Sequence, residues 1–301
     1  MSLLPKFIRA QKIRFGWRQQ IAFDRTDRIL MYHNVVSDTS EIFNLRTHRT
    51  ADFENQISYL SKHFFRTKKQ QPIEITFDDG LVNNYRFAKP ILEKYRIPAT
   101  FFISTENIDT DNLLWPDLLE WLCSVRKAPI TFENVDYFPH PVHGIYINAH
   151  GKRLSHELKK KDINEINSFI GELQHSLDRP IPQLLVDTYR TMGSAEILEL
   201  SLNPLFTIGS HSNKHIPLSG KNEADQYVQL KISKEILEKI TGNTIPDLAF
   251  PDGSYDETTI KLAIDLGYTN LYGVIRNETL PLIKSRKGLY TDEPWYHQLA
   301  I

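Results

Sequence analysis

Short apolar runs that each end in a polar cluster, separated by helical patterns, constrain this chain more than any other feature. Arg28–His33 (RILMYH), Ile73–Phe77 (IEITF), Ala99–Ser104 (ATFFIS), Leu205–Gly209 (LFTIG), Leu248–Pro251, Asn270–Ile275 and Leu280–Lys284 read as strands. Between them, Ala51–Phe64 places Phe53, Ile57, Leu60 and Phe64 on one helical face. Asn83–Tyr95, Ala224–Ile240 and Glu257–Leu266 also read as helices, with Gly242 and Gly267 closing the last two. Strands that alternate with helices imply parallel βα units, an α/β chain. In such folds the chemistry sits just past the strand C-termini, where this chain puts its polar clusters.

The rhythm breaks between about residues 107 and 202. There a helical stretch is followed by a β-like stretch, Pro129–Asn148, and then by more helices. This reads as a large insertion between two strands, and such segments often shape a substrate cleft. A structural cap or a dimer contact is an equal reading, and the oligomeric state is left open.

Composition narrows the function classes. Lys+Arg 36 against Asp+Glu 37 gives a net charge of −1, so no global basic excess points to nucleic acid. Cys123 is the single cysteine, which excludes an internal disulfide and a Cys-rich zinc site. In the apolar LLEWLCSV stretch it reads as a small core residue. Any metal must therefore be held by His and carboxylates. No apolar run reaches the ~20 residues that a membrane helix needs. The N-terminus shows no continuous apolar core of a signal peptide, so a cytoplasmic protein is the expectation. Residues 1–27 form a separate segment in which Lys6, Arg9, Lys12, Arg14 and Arg18 precede the first acid, Asp24. A terminal helix packed on its own domain is the favoured reading. A basic amphipathic segment on an anionic membrane surface is the alternative.

Two motifs carry chemistry. Thr76-Phe77-Asp78-Asp79-Gly80 closes an apolar strand with adjacent carboxylates. Burying two like charges is costly unless something such as a divalent cation compensates. One carboxylate can then bind metal while the other acts as a general base. Alone, Asp-Asp-Gly is a common turn. His211-Ser212-Asn213-Lys214-His215 again follows a strand, and two His four apart share one face of a helix or helical turn. Alone, such a pair is as often two hydrogen-bonded histidines as a metal site. The recurrence of both clusters at strand ends favours the metal reading. Asp plus two His is a sound facial set for Zn²⁺, Fe²⁺, Co²⁺ or Mn²⁺.

These two motifs, in this order, resemble the first two motifs of the polysaccharide deacetylase family (the NodB homology domain), and the resemblance covers roughly Arg28 to Gly288 apart from the insertion. It implies a distorted (β/α)7-type barrel over residues 28–301. It also implies a metal held by Asp79, His211 and His215, with Asp78 as general base. Leu248–Asp256 (LAFPDGSYD) is similar to the family's third element and implies substrate or oxyanion roles for Pro251, Asp252, Gly253 and Tyr255. This chain lacks that element's usual Arg and has Asp252 where an aromatic is expected. A backbone N–H at 252 still suits an oxyanion. No Leu-x-His stands near the C-terminus. The strand ending in His33 instead resembles the permuted form of biofilm and lipopolysaccharide-type deacetylases, which makes His33 the candidate acid. Arg286 resembles an Arg that orients the base. Trp115 resembles a cleft aromatic, with core packing as the plainer reading.

The expectation is hydrolysis of an acetyl group from an N-acetylated sugar of a glycan or glycan precursor, with zinc as the expected ion and cobalt, nickel, iron or manganese as alternatives. A protonated His33 would give the leaving amine its proton. The partner is a saccharide. The competing readings are a non-catalytic carbohydrate-binding relative and a secreted chitin, peptidoglycan or xylan deacetylase.

Overall fold

The computed structural model describes residues 29–65, 73–141, 144–177, 180–274, 282–292, 294–295 and 298. The basic segment 1–27 lies outside the described residues, as do Arg28, Ile275 and Leu280. The described chain opens with β1 (Ile29–Tyr32), β2 (Asn34–Val36), β3 (Thr47–Arg49), α1 (Thr50–Leu60) and β4 (Glu74–Phe77). Helix α2 (Lys89–Tyr95) and β5 (Ala99–Ile103) follow. Next come α3 (Trp115–Val125), β6 (Ile130–Phe132), β7 (Val135–Pro139), β8 (Tyr146–Asn148), α4 (Leu154–Leu158), α5 (Ile163–His175) and α6 (Gln183–Tyr189). The order closes with α7 (Ser194–Leu202), β9 (Phe206–Ser210), α8 (Glu223–Thr241), β10 (Asp247–Ala249), α9 (Glu257–Asp265), β11 (Asn270–Tyr272), β12 (Ile283–Lys284) and β13 (Lys287–Gly288).

One sheet organises the molecule, in the order β12-β11-β10-β9-β5-β4-β1-β13. Every pairing in it is parallel. Its two edge strands, β12 and β13, are separated in sequence by Ser285 and Arg286 alone. One short segment thus lies at both edges, so the sheet curls back on itself with that segment as a broken closing strand. Six whole strands and one broken one make the distorted (β/α)7-type barrel. Residues from its strands and helices form one core in which Phe77 and Phe101 stack at 4.9 Å and Tyr32 meets Phe53 edge-on at 5.2 Å. Helix α1 buries Phe53, Ile57 and Leu60 against that core, each contributing roughly 1.5–3 kcal/mol.

The helix expected over 83–95 is interrupted. A π-helical turn, Asn84–Ala88, precedes α2, and Pro90 in its first turn has no N–H to continue a regular ladder. The parallel pair β2–β3, in register Asn34↔Thr47, carried no sequence signal. It matters because it brings Arg46, just before β3, up to the barrel mouth.

The inserted region leaves the barrel after β5 and rejoins it at β9, and these two strands are neighbours in the sheet. Its β-like stretch is an antiparallel three-stranded sheet, β6-β7-β8. It has its own core, built on Trp121, Leu122, Tyr137, Tyr146, Ile166 and Tyr189, whereas Met192, Ile197 and Leu200 pack into the barrel core. Within the stretch 107–202, α7 thus packs on the barrel core and not on the insertion's own core. Cys123 is buried in the insertion's core, where burial pushes its thiol up to about 12. Among the described residues no helix is long and apolar enough to cross a membrane.

Candidate active site

The apolar strand β4 delivers Asp78 and Asp79 to the barrel mouth. Asp79 and Gly80 both take φ of 76°, a turn that only a tight neighbourhood enforces: a Cβ at Gly80 would stand 2.8 Å from Ile103. The two carboxylates are 3% and 1% exposed. At the end of β9, His211 and His215 come to the same place. Their ligand atoms and one from Asp79 lie within 4.8 Å of one another, the one such group of His, Cys or acidic residues among those described. The pair does not share a helical turn as the spacing suggested. Ser212 and His215 have φ of 60° and 49°, so a loop with left-handed residues turns the second ring toward the first. Four of the eight positive-φ residues other than glycine, among the described ones, are Asp79, Ser212, His215 and Asp252. Backbone strain is thus concentrated at this mouth, as functional sites tend to concentrate it.

The donor set fits a cation. His211 Nδ1 lies 2.8 Å from the Ala249 carbonyl, which makes it the donating nitrogen and leaves Nε2 to face the carboxylates. His211 Nε2 is 3.6 Å from Asp79 Oδ1, and His215 Nε2 is 2.9 Å from the same oxygen. Despite that short approach, Asp79 Oδ1 makes no aligned hydrogen bond and is buried without a partner. Burial holds the His211 imidazole below its ordinary value, in the neutral form that ligates. Burial alone would raise the Asp79 carboxyl. His215 ahead of His33 and Arg46 outweighs it and keeps Asp79 ionised. An ionised buried carboxylate with an orphaned oxygen beside two imidazoles is what a divalent ion would complete.

Asp78 is held differently. Arg286, at the seam between β12 and β13, grips it with both fork nitrogens, at 2.5 Å to Oδ1 and 2.8 Å to Oδ2. Arg286 Nε also donates to the Gly273 carbonyl at 3.2 Å, and its guanidinium lies over the Phe102 ring. Burial pushes the Asp78 carboxyl up, but Arg286 and then His211 hold it below its ordinary value. His33 follows β1 and lines the same cavity of about 290 Å³, with its Nδ1 buried and unpartnered. Burial lowers His33 to about 4, against the pull of Asp79. At neutral pH the resting imidazole is therefore neutral, not the cation expected of an acid. Trp115 is buried and also lines the cavity, and its Nε1 donates to the His215 carbonyl at 2.9 Å. Packing and cleft lining are both its work.

Of the third segment only Asp252 lines the cavity. Asp252 adopts φ of 55° inside the 3-10 turn Pro251–Gly253, and its carboxylate pairs with Lys159, just past α4. Pro251 is buried in that turn, and Gly253 sits where a Cβ would strike Val274. Tyr255 packs on Phe250 at 5.0 Å and against Gly273, half-buried against the barrel core rather than in the cavity.

The comparisons with known proteins fall on this same frame. The model of the polysaccharide deacetylase family matches residues 65–174 and 130–271, together well over half of the chain. The chain belongs to the polysaccharide deacetylase family. A Bacillus subtilis protein, YxkH, is 22% identical over 255 residues, covering 80% of this chain and 61% of its own. A Staphylococcus aureus poly-β-1,6-N-acetyl-D-glucosamine N-deacetylase is 27% identical over 150 residues, 44% of this chain and 51% of that one. The chain thus spans between half and two thirds of the curated relatives it matches. The solved structure of IcaB from Ammonifex degensii shares the fold, with a TM-score of 0.55 at 14% identity over 92% of this chain and 96% of that one.

Within this family member, sequence reasoning missed Arg46, Tyr290 and the residues that the insertion sets around them. Arg46 Nη2 donates to Glu120 at 2.6 Å and to Asp117 at 3.2 Å, both on α3, and Arg46 Nη1 lies 3.8 Å from Asp79 Oδ2. Asp117 is fully buried, which raises its carboxyl to about 7 against the pull of Arg46. Tyr290, Arg153 and His156 complete that side of the cavity. None of these stands beside a motif. The signal that could have found them is the local pairing of acids with apolar residues in WPDLLEWL.

Proposed function

We propose that the chain is a metal-dependent hydrolase that removes acetyl groups from the amino-sugar residues of a glycan. The observation that carries this reading is the pairing of two unlike carboxylates in one cavity: Asp79 faces two histidines, and its neighbour Asp78 is locked as an anion by Arg286. Asp79, His211 and His215 would hold the ion, zinc first, with cobalt, nickel, iron or manganese as alternatives. Such an ion, when bound, polarises an acyl carbonyl and acidifies a nearby water.

The chain's own residues do the rest. Asp78, ionised and fixed in orientation, takes the proton of the attacking water. The backbone N–H of Asp252 is offered to the oxyanion; its carboxylate is turned to Lys159, which offsets the charge that would otherwise oppose that role. His33, neutral at rest, accepts the proton that Asp78 has collected and passes it to the amine nitrogen as the carbon–nitrogen bond breaks. One proton thus serves both steps. Acetate and a free amine are the products.

The substrate class follows from the Staphylococcus relative, which is named for a poly-N-acetylglucosamine. N-acetylated hexosamine chains are the proposed substrate, and a cytoplasmic lipid-linked or nucleotide-linked glycan precursor the proposed form, which cell fractionation checks. Acetate release from N-acetylglucosamine oligomers, with Zn²⁺ or Co²⁺ added to chelator-treated protein, tests the reading. Acetate matched by new amines is the expected result. An ion-loaded protein that binds these oligomers and releases no acetate would overturn the hydrolase in favour of a carbohydrate-binding relative.

A further inference from the structure

The helix that opens the insertion reaches two of the three candidate ligands. Trp115, its first residue, donates from Nε1 to the carbonyl of His215. Asp117 and Glu120, two and five residues further along the helix and three apart on one face of it, hold the guanidinium of Arg46. That guanidinium stands 3.8 Å from Asp79 Oδ2, whereas His211 and His215 approach Oδ1. The side chain of Arg46 is 18% exposed and that of Asp79 2%, so the contact is shielded from water. Arg46 is poorly placed to serve as a substrate anchor, because α3 already occupies its Nη2 group. It is also poorly explained as a surface tie, because a surface tie has no reason to aim its second nitrogen at a ligand carboxylate. Buried ligand carboxylates depend on such outer partners to fix which oxygen faces the ion.

We propose that Arg46, braced by Asp117 and Glu120 of α3, is a positioning residue for Asp79, so that the inserted region takes part in holding the ion instead of only roofing the barrel. The proposal rests on the metal-site reading above. It assigns to the insertion a role that extends the site's outer support across two cores of the molecule, the barrel's and the insertion's.

The test uses the full chain, stripped of metal and titrated with Co²⁺ alone against a chromophoric chelator, with the absorption spectrum of the bound ion as a second readout. Arg46→Gln should weaken Co²⁺ binding by about 10- to 100-fold and alter the cobalt spectrum. Arg46→Lys should restore part of the affinity, because it returns the charge but not the fork. Glu120→Gln, at a half-exposed position, should weaken binding less and in the same direction, and keeps the test alive should Arg46→Gln fail to fold. Thermal unfolding of each apo variant separates a general loss of structure from a loss at the ion. Variants that bind Co²⁺ as tightly as the wild type, or more tightly, with an unchanged spectrum would overturn the proposal while leaving the metal site standing. A wild-type chain that binds no Co²⁺ would overturn both.

Discussion

The barrel seam and the β2–β3 pair each send one arginine to the same pair of adjacent carboxylates, and they do so in different ways. Arg286 from the seam is fully buried and binds Asp78 through two short, parallel contacts. Arg46, just before β3, is part-exposed, spends its short contacts on Glu120 and Asp117 of the insertion, and reaches Asp79 only at 3.8 Å. The difference teaches which carboxylate is meant to be free. Asp78 is paired through both oxygens with Arg286, which fixes its charge and direction, as the proposed proton acceptor requires. Asp79 instead turns one oxygen toward both His215 and His211, at 2.9 and 3.6 Å, where a further ligand could join them. Two identical side chains at neighbouring positions thus acquire separate surroundings from the elements around them.

This contrast can be broken experimentally. The largest effect on stability should come from Arg286→Met, which leaves Asp78 buried and uncompensated. A loss of about 3–5 kcal/mol in urea unfolding is expected, with turnover falling too. Arg46→Gln should cost less stability than that, since Asp79 retains His215 and Glu120 can turn to water. Equal losses would erase the distinction between the two arginines.

A second expectation concerns acid. The folded-state value of His33 is about 4, below the ordinary 6.5. Between these values the unfolded chain holds a proton that the folded chain does not, so stability falls as pH drops from 6.5 toward 4. The fall from this group is on the order of 3 kcal/mol. Asp78, whose folded value is lowered, adds a further loss only below the ordinary carboxylate value. In the apo protein His215 runs the other way: its raised value stabilises the fold below 6.5, and that contribution is lost as pH rises through the folded value. Unfolding curves of His33→Asn against wild type across pH 4–7 measure the first of these. A variant whose stability is as steep in pH as the wild type would remove His33 as the cause.

The smallest effect should come from Tyr255→Phe. Tyr255 belongs to the segment that resembles the family's third element, but it packs half-buried against the barrel core and does not line the cavity. Its kcat and KM should match the wild type; a large fall in kcat/KM with an intact fold would return Tyr255 to the site.

Much of the barrel and the centre of the site was legible because each piece is local. Asp78, Asp79, His211 and His215 each follow an apolar run directly, and the alternation of strands and helices fixes which end of the sheet they share. His33 and Arg286 were legible only through family resemblance, since a lone His or Arg at a strand end has no pattern of its own. The insertion's contribution was hidden for a geometric reason. Arg46 meets Asp117 and Glu120 across 71 and 74 positions, and Lys159 meets Asp252 across 93. No periodicity links residues so far apart; only the pairing of β2 with β3 and the return of α4 to the barrel mouth bring them together. The left-handed loop that carries His215 was missed because four-residue spacing fits a helical turn equally well.

The division of labour between the two aspartates is tested most directly by comparing Asp78→Asn with His211→Ala for both bound ion and acetate release. The account predicts that Asp78→Asn keeps one ion per chain and loses turnover, whereas His211→Ala loses both. Acetate release by Asp78→Asn at the wild-type rate would contradict it.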